Sequence, residues 1–221
     1  NVESLLKMDY PNFEVCIVND GSKDKTLELL IDTFDLVEVP FEYVEKVHCA
    51  PFKRLFKSTN INYSKLVVVD KENGGTKADA VNGGLNVIEN PYFINTDVDC
   101  ILSKDAMYQC IFPVITDESI IAVSGTMSMS NGSTIDNGEL VDIRPSNRPI
   151  PLFQDLEYKR SFLVGKMGWS KINAMNNVSG GYGLFSTEVV RDAGGYSSSS
   201  FAEDMDMLTR MIAYCCDFKR K

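Results

Sequence analysis

Three times along this chain a short apolar run ends in a polar turn and passes into a stretch with helical spacing. That recurrence narrows the choice of architecture more than any single residue. Glu14-Val15-Cys16-Ile17-Val18-Asn19 ends in the turn formers Asp20-Gly21-Ser22, and a helical stretch follows from about Lys25 to Phe34. Lys65-Leu66-Val67-Val68-Val69-Asp70 leads through a glycine-bearing loop, Lys71 to Thr76, into a helix from Lys77 to Ile88. Tyr92 to Thr96 leads through Asp97 to Leu102 into a helix that Ser103 is placed to cap, with Asp105 in its first turn. Strands alternating with helices predict an α/β fold with a mainly parallel central sheet flanked by helices. Ligands of such sheets bind beyond the carboxyl ends of the strands, so the loops carrying Asp20, Gly74-Gly75 and Asp97/Asp99 are expected to converge.

The third loop holds the most pointed chemistry. In an extended strand, residues two apart face the same side, so Asp97 and Asp99 can meet one cation as the strand leaves the sheet. Two hard oxygen ligands with open positions suit Mg²⁺ or Mn²⁺ carrying a substrate phosphate. Asp-x-Asp is also common in solvated turns, and Asn19-Asp20-Gly21-Ser22 is by itself a good turn. Lys77 follows a glycine pair that permits close backbone approach, and it either presents its ammonium to an anionic ligand or starts a helix in solvent.

Downstream, Ile120 to Val123 is a fourth apolar run, and Ser128 to Pro151 reads as a long loop or β-excursion. Helical stretches follow from about Leu152 to Val164 and from near Glu203. On the last helix Met207, Leu208, Met211 and Ile212 recur at core spacing. Asp204 and Asp206 lie about 200° apart there, at roughly 100° per residue, so only one can face a given cleft. Trp169 is read as buried packing rather than a sugar-stacking platform, and His48 as an ordinary residue.

With 221 residues, 44% of them hydrophobic, the chain is read as a single domain, residues 1–221. A net charge of -9 without a Lys/Arg cluster argues against a nucleic-acid partner. No apolar stretch approaches the roughly 18 residues that span a bilayer, and no leader pattern is present, so the chain as given reads as soluble. The six cysteines show no Cys-x-x-Cys spacing, which suits a reducing compartment rather than a zinc or disulfide scaffold.

The ordered set of segments resembles the family-two glycosyltransferases of GT-A fold, more narrowly the membrane-bound synthases of poly-β-1,6-N-acetylglucosamine, cellulose and hyaluronan. The resemblance runs through Val18-Asn19-Asp20-Gly21-Ser22, Asn73-Gly74-Gly75-Thr76-Lys77-Ala78-Asp79, Thr96-Asp97-Val98-Asp99, Phe153-Gln154-Asp155-Leu156-Glu157-Tyr158, Ser179-Gly180-Gly181-Tyr182-Gly183 and Ala202-Glu203-Asp204-Met205-Asp206. It implies a nucleotide-diphospho-sugar transferase fold and an inverting, metal-dependent transfer from a UDP-sugar, N-acetylglucosamine by preference, to a glycan acceptor. It assigns Asp20 to the uracil, Lys77 to the diphosphate, Asp97 to metal and nucleotide, and Asp99 to a Mg²⁺ or Mn²⁺ ion. Asp204 becomes the catalytic base, and Ser179, Gly180, Gly181 and Glu203 the acceptor region. Such enzymes open with a further strand and continue into a Gln-x-x-Arg-Trp segment and membrane helices. The chain is therefore read as a catalytic core truncated at both ends, from a parent at the cytoplasmic face of the inner membrane. A nucleotidyltransferase of similar fold and a non-catalytic sugar-nucleotide-binding subunit are the rival readings.

Overall fold

The computed structural model describes residues 2–136 and 139–218. The chain forms two compact units, one of Asn1–Tyr10 with Ile94–Phe185, the other of Pro11–Phe93 with Ser186–Lys221.

The first unit begins with the short helix α1 (Val2–Leu6). In the other unit, β1 (Val15–Asp20) is followed by α2 (Thr26–Thr33), β2 (Leu36–Val39), β3 (Phe52–Ser58), β4 (Leu66–Lys71) and α3 (Lys77–Val87). The sheet order is β1-β4-β3-β2, and β4 is buried at every position, its apolar run Leu66–Val69 as a strand with neighbours on both sides requires and its closing Asp70 and Lys71 as well. β1 and β4 run parallel, in a register that sets Asn19 opposite Asp70 and Asp20 opposite Lys71. β3 is antiparallel to β4, and β2 to β3. The α/β architecture thus holds, while this sheet is mixed rather than mainly parallel. The segments behind β2 and β3 carry charged residues between their apolar ones, so they lack the signature of a buried parallel strand.

Helix α3 packs on β1 and β4 through small residues. A Cβ on Gly84 would lie 3.3 Å from Val18, and one on Gly83 would lie 2.7 Å from the Lys71 stem. Thr76 caps α3 by accepting from the Asp79 amide. Leu55, Val67, Val69 and Val87 form a core cluster. The unit closes with α4 (Thr187–Asp192) and α5 (Glu203–Asp217) packed on each other, with Val189, Val190, Met207, Leu208 and Met211 buried. Ile212, expected in that core, is largely exposed and Cys215 is buried in its stead, as a four-residue step from Met211 dictates.

A second sheet, most of whose residues belong to the first unit, is formed by β5 (Tyr92–Thr96), β6 (Ala122–Ser124) and β7 (Tyr182–Ser186) in the order β5-β7-β6, with β6 and β7 antiparallel. The helix between β5 and β6 spans Ala106–Thr116, so Ser103 lies outside it; Asp105 occupies the cap position and makes no capping bond there. The polar excursion contains a two-stranded antiparallel ladder, Thr134–Asp136 with Glu139–Asp142; residues 137 and 138 lie outside the described residues. The next helix starts at Pro149, earlier than expected, because proline fits a first helical position. It runs on through a π-helical turn, Ser161–Lys166, to Lys171. Trp169 stands 52% exposed on it, which corrects the expectation of buried packing. His48 is exposed beside Glu45, as expected of an ordinary residue. Among the described residues, no helix is long and apolar enough to cross a membrane.

Candidate active site

At the carboxyl ends of β1 and β4, the register brings Asp20 and Lys71 together. Lys71 Nζ donates to Asp20 Oδ1 at 2.5 Å, to the Glu72 carbonyl at 2.8 Å, and to Asp79 Oδ1. The lysine is 1% exposed, and an ammonium so deep in a fold needs compensating charge. Burial pulls its pKa down, but hydrogen bonds and charge from Asp20 and Asp79 outweigh that and leave it raised. Asp79 is held by its own capped amide and by the Ala50 amide, which donates to Oδ2 at 2.9 Å. Asp20 Oδ1 also accepts from the Gly74 amide at 3.1 Å, and Asn73 Nδ2 donates to the Asp20 carbonyl at 2.7 Å. Gly21 adopts φ 64°, and a Cβ there would sit 2.7 Å from the Asn73 amide nitrogen.

Asp20, predicted from sequence, therefore sits in a built environment. Lys77 is the exposed first residue of α3. Lys71 and Asp79 were missed by sequence reasoning. Their signal was a lysine two residues beyond the apolar run Leu66–Val69 of β4, where an ammonium is stranded unless carboxylates meet it.

Asp204 lies in the first turn of α5, half-buried, with Oδ1 accepting from the Met205 amide at 2.9 Å; Glu203 opens the helix. Asp206 points to a different task, as helical spacing demanded. Its Oδ2 accepts from Arg210 Nε at 3.0 Å and Nη2 at 2.8 Å, while Arg210 Nη1 donates to the Ala193 carbonyl at 2.6 Å. The loop before α5 is tied to the start of α3 by a Thr76–Ser198 hydroxyl bond of 3.1 Å.

In the first unit, Asp97 and Asp99 are near neighbours, though not through strand spacing. β5 ends at Thr96, and Asp97 to Cys100 form a turn closed by the Cys100 amide donating to the Asp97 carbonyl at 3.1 Å. The ligand atoms of Asp97, Asp99 and Cys100 all lie within 4.8 Å of one another. Burial, followed by the adjacent charges of Asp97 and Asp99, raises the Cys100 pKa, so its thiol stays protonated and the cluster offers hard oxygens rather than a thiolate. That donor set fits Mg²⁺ or Mn²⁺.

The segment predicted to meet the acceptor lies against this turn. The Asp97 amide donates to the Gly181 carbonyl at 3.4 Å, and Asn95 Nδ2 to the Gly180 carbonyl at 3.3 Å. Ser179 is anchored by its amide, which donates to Ser124 Oγ at 3.3 Å, and Lys166 Nζ donates to the same oxygen at 3.1 Å. Asp20, Lys77, Glu203 and Asp204 thus belong to one unit, and Asp97, Asp99 and residues 179–181 to the other. A concavity of about 720 Å³ involving Tyr43, Phe52, Gly74 and Asp79 is lined by none of the nine predicted site residues.

Comparison with known proteins points one way. A model of glycosyl transferase family 2 matches residues 1–46. The poly-beta-1,6-N-acetyl-D-glucosamine synthase of Staphylococcus epidermidis is 26% identical over 218 residues, covering 99% of this chain and 43% of that protein. The synthase of the same name from Staphylococcus aureus strain COL is 25% identical over 204 residues, covering 92% of this chain and 40% of that one. The chain spans less than half the length of these curated relatives. Among solved structures, a mannosyltransferase from Pyrobaculum calidifontis, in complex with GDP-Man and Mn²⁺, superposes with a TM-score of 0.56 at 16% identity, over 95% of this chain and 46% of that one. That likeness is one of fold.

Proposed function

Because this chain is a relative of the family 2 glycosyl transferases and carries their GT-A fold, we propose that it is the catalytic core of an inverting transferase that moves a sugar from a UDP-sugar to a glycan acceptor in polysaccharide synthesis. The observation that carries the reading is the Asp97–Cys100 turn, whose carboxylates gather beside the 179–181 loop. N-acetylglucosamine is the preferred donor sugar, since that is the sugar named for the relatives. Membrane attachment belongs to segments outside this chain, with synthesis at the cytoplasmic face.

In this reading Asp20 accepts a hydrogen bond from the nucleobase and Lys77 meets the diphosphate. Asp97 and Asp99 hold a divalent cation, Mg²⁺ or Mn²⁺, which supplies Lewis-acid stabilisation of negative charge on the departing nucleoside diphosphate. Ser179, Gly180, Gly181 and Glu203 orient the acceptor. Asp204 takes the proton from the acceptor hydroxyl as its oxygen bonds to the anomeric carbon and the bond from that carbon to the diphosphate oxygen breaks.

Calorimetry of UDP with and without Mn²⁺, on the native chain and on Asp99→Ala, tests the cation. Metal-dependent binding that Asp99→Ala abolishes supports it, and metal-independent binding counts against it. GDP belongs in the same series, because the structural neighbour was solved with GDP-Man. Turnover of UDP-sugars by the parent enzyme and its Asp204→Asn variant tests the base; a drop of about 10²- to 10⁴-fold is expected, and unchanged turnover removes Asp204 from that role.

A further inference from the structure

Lys71 is the most deeply buried charge among the described residues, and the transfer chemistry makes no use of it. Its three ammonium protons are spoken for by Asp20, Asp79 and the Glu72 carbonyl, so none remains for a phosphate. The fold makes room for it in two places. A Cβ on Gly83 would lie 2.7 Å from Lys71 Cδ, and one on Gly74 would fall within the Asp79 carboxylate. Asp79 is fixed in turn by the amides of Ala50 and of its own capped position. The ion triad therefore ties the ends of β1 and β4 to the first turn of α3 and the segment at Ala50.

We infer that Lys71 is a positioning residue that sets the hydrogen-bonding polarity of the nucleobase pocket by fixing Asp20. The inference rests on the donor reading above. With Oδ1 occupied by Lys71 and the Gly74 amide, and the side chain 21% exposed, Asp20 presents Oδ2 as an acceptor only. Such a group pairs with a base whose edge carries an imide N–H, as in uracil. It repels one that presents a ring nitrogen lone pair there, as in cytosine. Without Lys71, the carboxylates of Asp20 and Asp79 lose the cation that both of them meet, and Asp20 loses both its place and its fixed polarity.

The test compares UDP with CDP by calorimetry in Mn²⁺, on the native chain, on Lys71→Met and on the charge-balanced double variant Lys71→Met/Asp79→Asn, with folding followed by circular dichroism. The native chain is expected to prefer UDP. In whichever variant folds, UDP affinity falls roughly tenfold or more and the preference over CDP narrows to within about twofold. A folded variant that keeps the native UDP-to-CDP ratio overturns the inference, as does loss of the fold in both, which would leave Lys71 a role in stability alone. A native chain that binds neither nucleotide strikes at the donor reading itself, and the two failures are thereby told apart.

Discussion

Gly181 and Asp97 touch so closely that a side chain on the first would intrude on the second: a Cβ on Gly181 would lie 3.3 Å from Asp97 Oδ2 and 2.8 Å from Met127 Cε. The Asp97 amide donates to the Gly181 carbonyl as well, so the loop behind the carboxylate is part of what aims it. Met127 is flexible and can yield, whereas Asp97 is held at the mouth of a turn.

Gly181→Val is therefore expected to weaken Mn²⁺ binding by about 10- to 100-fold, the usual effect of disturbing the residues that orient a metal ligand. Titration of Mn²⁺ into the variant, with its melting temperature measured alongside, checks this. Unaltered Mn²⁺ affinity in a folded variant would detach the loop from the cation site.

Asp204 and Asp206 have different partners, the Met205 amide for the first and the Arg210 guanidinium for the second. Asp206→Asn removes a half-exposed ion pair to Arg210 and should lower stability by about 0.5–1 kcal/mol, solvent screening included, with transfer rates preserved. Denaturant midpoints, together with an assay of the proposed sugar transfer, decide it. A large rate loss at Asp206 would exchange the roles assigned to the two residues.

The Lys71 triad also fixes a pH dependence. Burial draws its pKa down, yet Asp20 and Asp79 hold it above the ordinary 10.5, so its stabilising contribution is complete below that value and is lost as pH rises through the higher folded one. The gap in melting temperature between the native chain and Lys71→Met should stay constant from about pH 7 to about pH 10 and close only above that range. A gap already closing near pH 9 would contradict the pairing.

Cysteine reactivity follows burial. Burial, then the charge of Glu14, pushes the Cys16 thiol up to about 12, and burial raises Cys110, while Cys216 is exposed. Iodoacetamide at about pH 8, read by peptide mass spectrometry, should label Cys216 and spare Cys16 and Cys110. Rapid labelling of Cys16 in the folded chain would show the β1–α3 packing to be looser than described.

Much of the fold was legible because its signals are local. Apolar runs marked β1, β4 and β5 within a residue or so, the glycine-bearing loop marked the start of α3, and the acidic cluster marked Glu203 as the start of α5. The antiparallel pair β2 and β3 escaped because strands of mixed polarity at one side of a sheet lack the continuous run of a buried one. Asp97 and Asp99 were paired for the wrong local reason: a closed turn, not strand spacing, brings them together. Trp169 was misjudged because a lone aromatic says nothing of which neighbours a helix will find.

From residue order alone came the α/β class, the strand and helix positions, the acidic residues worth watching, and the separation of Asp204 from Asp206 by helical angle. All of these depend on periodicity over a few neighbours. Tertiary structure alone decided that the buried lysine is Lys71 and that it grips Asp20, 51 residues away. That contact is made by the register of two parallel strands, and a register is settled by what the whole sheet buries, which no short stretch of chain encodes.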